Sequence, residues 1–107
     1  MKSIDLDQIT PRTVIPGYNG KFVHTDKLTL SFWEIEAGND LPEHSHPHEQ
    51  TTIVIEGTFQ LNLEGTVFTL APNQLLTILP NCMHSGTALS DCKVMDVFCP
   101  VREDYRL

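Results

Sequence analysis

Short runs of Val, Ile, Thr, Phe and Leu alternate with turn-forming residues along most of the chain. The runs are Leu28–Glu36, Thr51–Glu56, Thr58–Leu63, Val67–Leu70, Leu75–Leu79 and Lys93–Phe98. Branched and aromatic side chains of this kind suit a pleated, half-buried surface, so each run predicts a strand. Between them the turn signals Pro16-Gly17, Gly38-Asn39-Asp40, Gly57, Gly65, Pro72-Asn73 and Pro80-Asn81 recur at the spacing of a small sandwich or barrel. No window carries a sustained helical period with a cap and a stop, so helix should be minor and confined to the N-terminal arm. The predicted class is all-β. Thr51–Glu56 and Thr58–Leu63, joined at Gly57, read as an antiparallel hairpin of a jelly roll, whose closure would also hide the sheet edges.

Size and charge narrow the picture. With 107 residues the chain suits one core, residues 1–26 forming an N-terminal arm with the first strands and residues 27–107 the barrel, all parts of one domain. A formal charge of −7 repels a phosphate backbone and argues against a nucleic-acid partner, so any anionic ligand must be captured locally. Apolar stretches such as Leu75–Leu79 are far shorter than the roughly 20 residues that cross a bilayer, so no membrane helix is expected. The segment from Met1 to Asp7 turns acidic at once and builds no apolar block of a secretory signal, so the expected location is cytoplasmic. Cys82, Cys92 and Cys99 are odd in number, widely spaced and without a CxxC pair, as expected of reduced structural thiols.

The segment Gly38 to Gly57 carries chemistry. His44, His46 and Gln50 share one strand parity, so an extended chain projects all three to one side. Imidazole is the commonest metal ligand and an amide oxygen an acceptable harder one, and a fourth group must come from elsewhere. His84 is the natural candidate. The expected cofactor is one divalent ion on His44, His46, Gln50 and His84, with zinc, nickel, manganese and iron all compatible with that set. His48 has the same parity but follows Pro47, which suits the pocket rim and substrate contact better than the ion. Glu49 would replace Gln50 if the strand carried a bulge. Taken alone, a His-x-His in a polar loop also reads as a solvated cluster, so the surrounding frame matters.

That frame is Gly38, five residues, His44-x-His46, three residues, Gln50, six residues, Gly57, which resembles the first motif of the cupin superfamily with Gln where Glu is usual. The family's second motif has its frame at Asn73, Leu79, Asn81 and His84. Asn replaces Gly readily at left-handed turn positions, and Pro80 lies one place from the usual proline. The resemblance implies a small single-domain cupin, a jelly-roll barrel of the double-stranded β-helix type. Three neutral imidazoles and a neutral amide leave the ion's charge uncompensated by its ligands, which favours Lewis-acid or isomerisation chemistry over oxygen chemistry.

The tail Asp96-Val97-Phe98-Cys99-Pro100-Val101-Arg102 is the second informative segment. If Val94 and Phe98 line the interior, Asp96 between them is a carboxylate in an apolar cavity, the environment of a general acid or base. On an exposed face it is an ordinary polar residue. Arg102 reads either as a surface cation or as a fork for a substrate carboxylate. This tail, together with His-Ser-His-Pro-His-Glu-Gln at 44–50, resembles the KdgF-type cupins of pectin and alginate breakdown, over most of the chain from about Lys27 onward. The resemblance implies a metal-dependent enzyme of uronate metabolism, which takes 4,5-unsaturated uronate monosaccharides from the ring form to the linear keto form. It implies that Asp96 shuttles the proton, Arg102 binds the sugar acid's carboxylate, and Phe98 packs on the sugar face. It further implies a homodimer paired through exposed sheet faces and exchanged N-terminal strands. The competing readings are a metal-dependent dioxygenase or epimerase of another small acid, a non-catalytic sugar- or metabolite-binding module, and a barrel with incidental histidines.

Overall fold

In the computed structural model, which describes residues 1–106, ten strands form two antiparallel sheets. The larger sheet runs, in spatial order, β1 (Arg12–Ile15), β2 (Tyr18–His24), β3 (Thr29–Ile35), β10 (Cys92–Cys99), β5 (Glu49–Glu56) and β8 (Leu75–Ile78). The smaller runs β4 (Asp40–His44), β9 (His84–Ala88), β6 (Phe59–Leu63) and β7 (Thr66–Leu70). The all-β jelly-roll expectation holds. Residues 1–26 supply two strands of the larger sheet, β2 pairing with β3 from Tyr18↔Ile35 to His24↔Thr29.

The predicted hairpin from Thr51 to Leu63 does not form. β5 pairs with β10 and β8, whereas β6 pairs with β7 and β9 in the other sheet. Gly57 is therefore a corner at which the chain changes sheets. Its φ is +82°, and a Cβ there would lie 2.1 Å from the carbonyl oxygen of Asp91, so only glycine fits. Helix is minor, as expected, but not confined to the N-terminus. One 3-10 turn covers Leu6–Gln8, capped by Asp5 accepting from the Asp7 amide, and a second covers Glu103–Tyr105. A single turn of three residues leaves no period in the sequence to detect.

Alternation along the strands sorts the interior into two tiers. At one end Trp33, Ile35, Val54, Phe59, Leu61, Ala88 and Val94 pack as an apolar core. At the other, the inward positions are polar: Thr29 and Ser31 on β3, Gln50 and Thr52 on β5, His84 on β9 and Asp96 on β10. The apolar tier holds the sheets together, and the polar tier must satisfy its own hydrogen bonds. The left-handed turns needed by the second motif are present, with φ +69° at Asn73 and +64° at Asn81. No helix among the described residues is long and apolar enough to cross a membrane. The three cysteines are free, Cys92 buried and Cys99 exposed.

Candidate metal centre

The histidines converge from a strand pair and a corner. His44 on β4 and His84 on β9 are register partners, and their ring centroids are 4.2 Å apart. After His44 the chain turns through Ser45–His48 into β5 of the other sheet, and His46 within that turn is 8% exposed. Its ring centroid lies 5.0 Å from that of His84 and 5.7 Å from that of His44. One nitrogen from each of the three imidazoles falls within 4.8 Å of the others. The parity of His44, His46 and Gln50 does not act along one extended strand, as the sequence suggested. The corner between sheets brings these residues together.

Hydrogen bonds prepare the donor atoms. A carbonyl oxygen only accepts, so His44 Nδ1–H donates to Pro42 at 2.7 Å and His84 Nδ1–H to Cys82 at 2.8 Å, which leaves each Nε2 a free lone pair. His84 Nε2 is buried without a hydrogen-bond partner among the described residues. Burial pulls the pKa of His84 down, and burial with the nearby Arg102 charge pulls that of His46 down to about 4, so both imidazoles are neutral at pH 7. His46 Nε2 and Gln50 Oε1 are 3.0 Å apart, with one proton between them. In the other neutral tautomer, with the proton on Nδ1, His46 Nε2 and Gln50 Oε1 each present a lone pair on the same side. Unpartnered, neutral nitrogens beside an amide oxygen are the donor set of a borderline divalent ion, so the residues fit such a metal. Glu49 is exposed on the opposite face of β5, which removes it from the set.

Asp96 sits beside this cluster in the middle of the larger sheet, register partner of Ser31 on one side and Thr52 on the other. It is 7% exposed. Its Oδ1 accepts from Thr52 Oγ1 at 2.6 Å and Gln50 Nε2 at 3.2 Å, and its Oδ2 from Trp33 Nε1 at 2.9 Å. Burial raises the pKa of Asp96, while those hydrogen bonds and Arg102 oppose the rise. A cavity of about 60 Å³ is bounded by His44, Gln50, Thr52, Asp96, Phe98 and Arg102, with Trp33 and Tyr105 beside them.

At the rim, Phe98 is fully buried with its ring 5.8 Å from that of His46. The Arg102 guanidinium lies over the rings of Phe98 and Tyr105, at 4.8 and 4.2 Å, so its charge is held by two aromatic faces. Its Nε and Nη2 donate to Asp104 Oδ1 and Oδ2 at 2.9 and 2.7 Å. The fork read from the sequence is thus partly engaged within the chain. The paired guanidinium holds the Asp104 carboxyl below the usual range. His48 is half-buried, donates from Nε2 to the Val101 carbonyl at 3.2 Å, and lies outside the group of three imidazoles. Sequence reasoning missed Trp33, Thr52, Asp104 and Tyr105. Small hydroxyl residues at inward strand positions, Thr29, Ser31 and Thr52, were the available signal of a polar tier.

Comparison with known proteins agrees with this geometry. The family model described as the cupin domain matches residues 31–98. The structure of KdgF from Halomonas sp. superposes with a TM-score of 0.86 at 32% identity, covering 92% of this chain and 94% of that one. An RmlC-like cupin from Shewanella frigidimarina gives a TM-score of 0.87 at 23% identity, over 92% and 90% of the two chains, a likeness of fold alone. An RmlC-like cupin from Desulfovibrio desulfuricans gives 0.75 at 25% identity, over 95% and 99%. No curated protein matches the chain.

Proposed function

The chain belongs to the cupin domain family, and from that membership we propose that it is a metal-dependent isomerase, opening 4,5-unsaturated uronate monosaccharides to their linear keto form. The observation that carries this reading is Asp96, a buried carboxylate hydrogen-bonded to the candidate ligand Gln50 and bordering the same cavity as Phe98 and Arg102. The likeness to KdgF supports it over most of the chain.

The conversion is a redistribution of one proton. Ring opening breaks the C1–O5 hemiacetal bond, forms the C1 aldehyde and frees the proton of the C1 hydroxyl, leaving an enolate at C5. Ketonisation places a proton on C4 as the C5 carbonyl forms, so nothing is gained or lost overall. In this reading Asp96 takes the hydroxyl proton and delivers one to C4, a role suited to a buried carboxyl whose pKa burial raises. Arg102 meets the uronate carboxylate, with Asp104 fixing its guanidinium through Nε and Nη2. Phe98 packs on the sugar, and His48 borders the rim. A divalent ion held by His44, His46, Gln50 and His84 would polarise the sugar oxygens.

The test follows the conjugated enol-ether absorbance of a 4,5-unsaturated galacturonate monomer, with product structure read by NMR. Metal-loaded protein is expected to speed loss of the absorbance and yield the linear ketone. Rates equal to the buffer's at matched metal concentration defeat the proposal. The same reading includes a homodimer, checked by light scattering on a sizing column.

A further inference from the structure

Glutamine is an ambiguous metal ligand. Its carbonyl oxygen can hold a cation, whereas its amino group offers only donors, so a glutamine among ligands works in one of its two amide orientations. A glutamate has no such restriction, because its two oxygens are equivalent. In this chain the amide of Gln50 is gripped from behind. Nε2 donates to Thr52 Oγ1 at 3.0 Å and to Asp96 Oδ1 at 3.2 Å, which turns Oε1 toward His46. The grip is itself directional. The single hydroxyl proton of Thr52 goes to Asp96 Oδ1 at 2.6 Å, so the Thr52 oxygen can only accept from Gln50. Trp33 Nε1 holds the other carboxylate oxygen at 2.9 Å. A flipped amide would set its oxygen against two acceptors. Thr52, Gln50, Asp96 and Trp33 are 2%, 6%, 7% and 8% exposed, so solvent does little to relieve that conflict.

We propose that Trp33, Asp96 and Thr52 form a clamp that locks the Gln50 amide with its oxygen toward the histidines, making Thr52 a positioning residue for a metal ligand. The inference rests on the reading of His44, His46, Gln50 and His84 as a metal centre and is independent of which substrate is turned over. The arrangement explains how a neutral amide serves where a symmetric carboxylate would need no orientation.

Cobalt(II) titration of metal-free protein reads affinity and, through the visible absorption of the bound ion, its ligand set. Thr52→Val removes the hydroxyl at nearly constant shape and leaves every candidate ligand in place. It is expected to weaken cobalt binding about tenfold and alter the visible band, while Thr52→Ser stays within about twofold of wild type. In a Gln50→Glu background the same Thr52→Val change is expected to cost less than about twofold, because a carboxylate has no wrong face. Unchanged cobalt affinity in Thr52→Val, or a tenfold loss that persists beside Gln50→Glu, overturns the clamp. Should Thr52→Val not fold, the wild-type protein decides. The Gln50 side-chain amide protons, identified by their disappearance in Gln50→Glu, are expected to exchange slowly with solvent without metal, and fast exchange overturns the proposal. Wild-type protein that binds no cobalt removes the metal centre and the clamp together, whereas clamp failure alone shows as tight binding indifferent to Thr52.

Discussion

His44 and His84 face each other as register partners across the β4–β9 ladder, ring centroids 4.2 Å apart. Backbone hydrogen bonds set that distance, so the pair exists before any ion arrives, and metal should bind the folded chain far better than the unfolded one. At free zinc of about 100 times its dissociation constant the stabilisation is about 2.7 kcal/mol. For a chain of this size that shifts the melting midpoint by roughly 10 °C or more. Melts with zinc and with a chelator measure it. His84→Ala should lose the shift, and an equal shift in that variant would show that zinc binds elsewhere.

Acid should destabilise the metal-free protein through its buried imidazoles. In the folded state burial and then the Arg102 charge hold His46 at about 4, whereas an unfolded histidine takes its proton near 6.5. Between those values the unfolded chain binds more protons, so stability is full above about pH 6.5 and falls as the pH drops toward 4. The His46 share is at most about 3 kcal/mol, and His84, shifted the same way, adds to it. Urea unfolding across this range checks the slope. His46→Asn should flatten it, and an unaltered slope would locate the titrating group elsewhere.

Gly57→Ala should be far worse than Gly65→Ala. Both glycines have positive φ, +82° and +92°, but the added methyl meets the Asp91 carbonyl at 2.1 Å in one case and nothing within 4 Å in the other. Expected losses are about 3 kcal/mol or more at Gly57 and about 1 kcal/mol at Gly65. Equal midpoints in chemical denaturation would mean that the backbone at the corner yields easily.

Asp96→Asn should keep the fold, since an asparagine oxygen in the Oδ1 position still accepts from Thr52 and Gln50 and only Trp33 Nε1 loses its acceptor, yet the proton carrier is lost. The rate of uronate ring opening should fall by about 10² to 10⁴. A near wild-type rate in this variant would exclude Asp96 from proton transfer. Arg102→Met should instead raise KM more than it lowers kcat, because binding of the substrate carboxylate is the role assigned to it.

Strand alternation made the inward faces of β3, β5 and β10 legible, because aliphatic and aromatic residues mark them. β9 is His-Ser-Gly-Thr-Ala and β4 is Asp-Leu-Pro-Glu-His, and neither carries that mark. Both are held by pairing with partners distant in sequence. The same blindness produced the false hairpin at Gly57. Local pattern joins neighbouring strands, whereas a close approach to Asp91, thirty-four positions downstream, sends them to different sheets. At the site, the three histidines that converge were readable from their type and spacing, because metal chemistry restricts candidate ligands. The roles of Trp33 and Thr52 were not, since a hydrogen bond across a ladder depends on register, which the sequence does not display.

The corner between the sheets has a mechanical corollary. His44 and His84 belong to one sheet and Gln50 to the other, so an ion gripped by all of them would act as a rivet through the sandwich. Pulling the layers apart would release the ion, and emptying the rivet would let the polar mouth breathe while the apolar end stays shut.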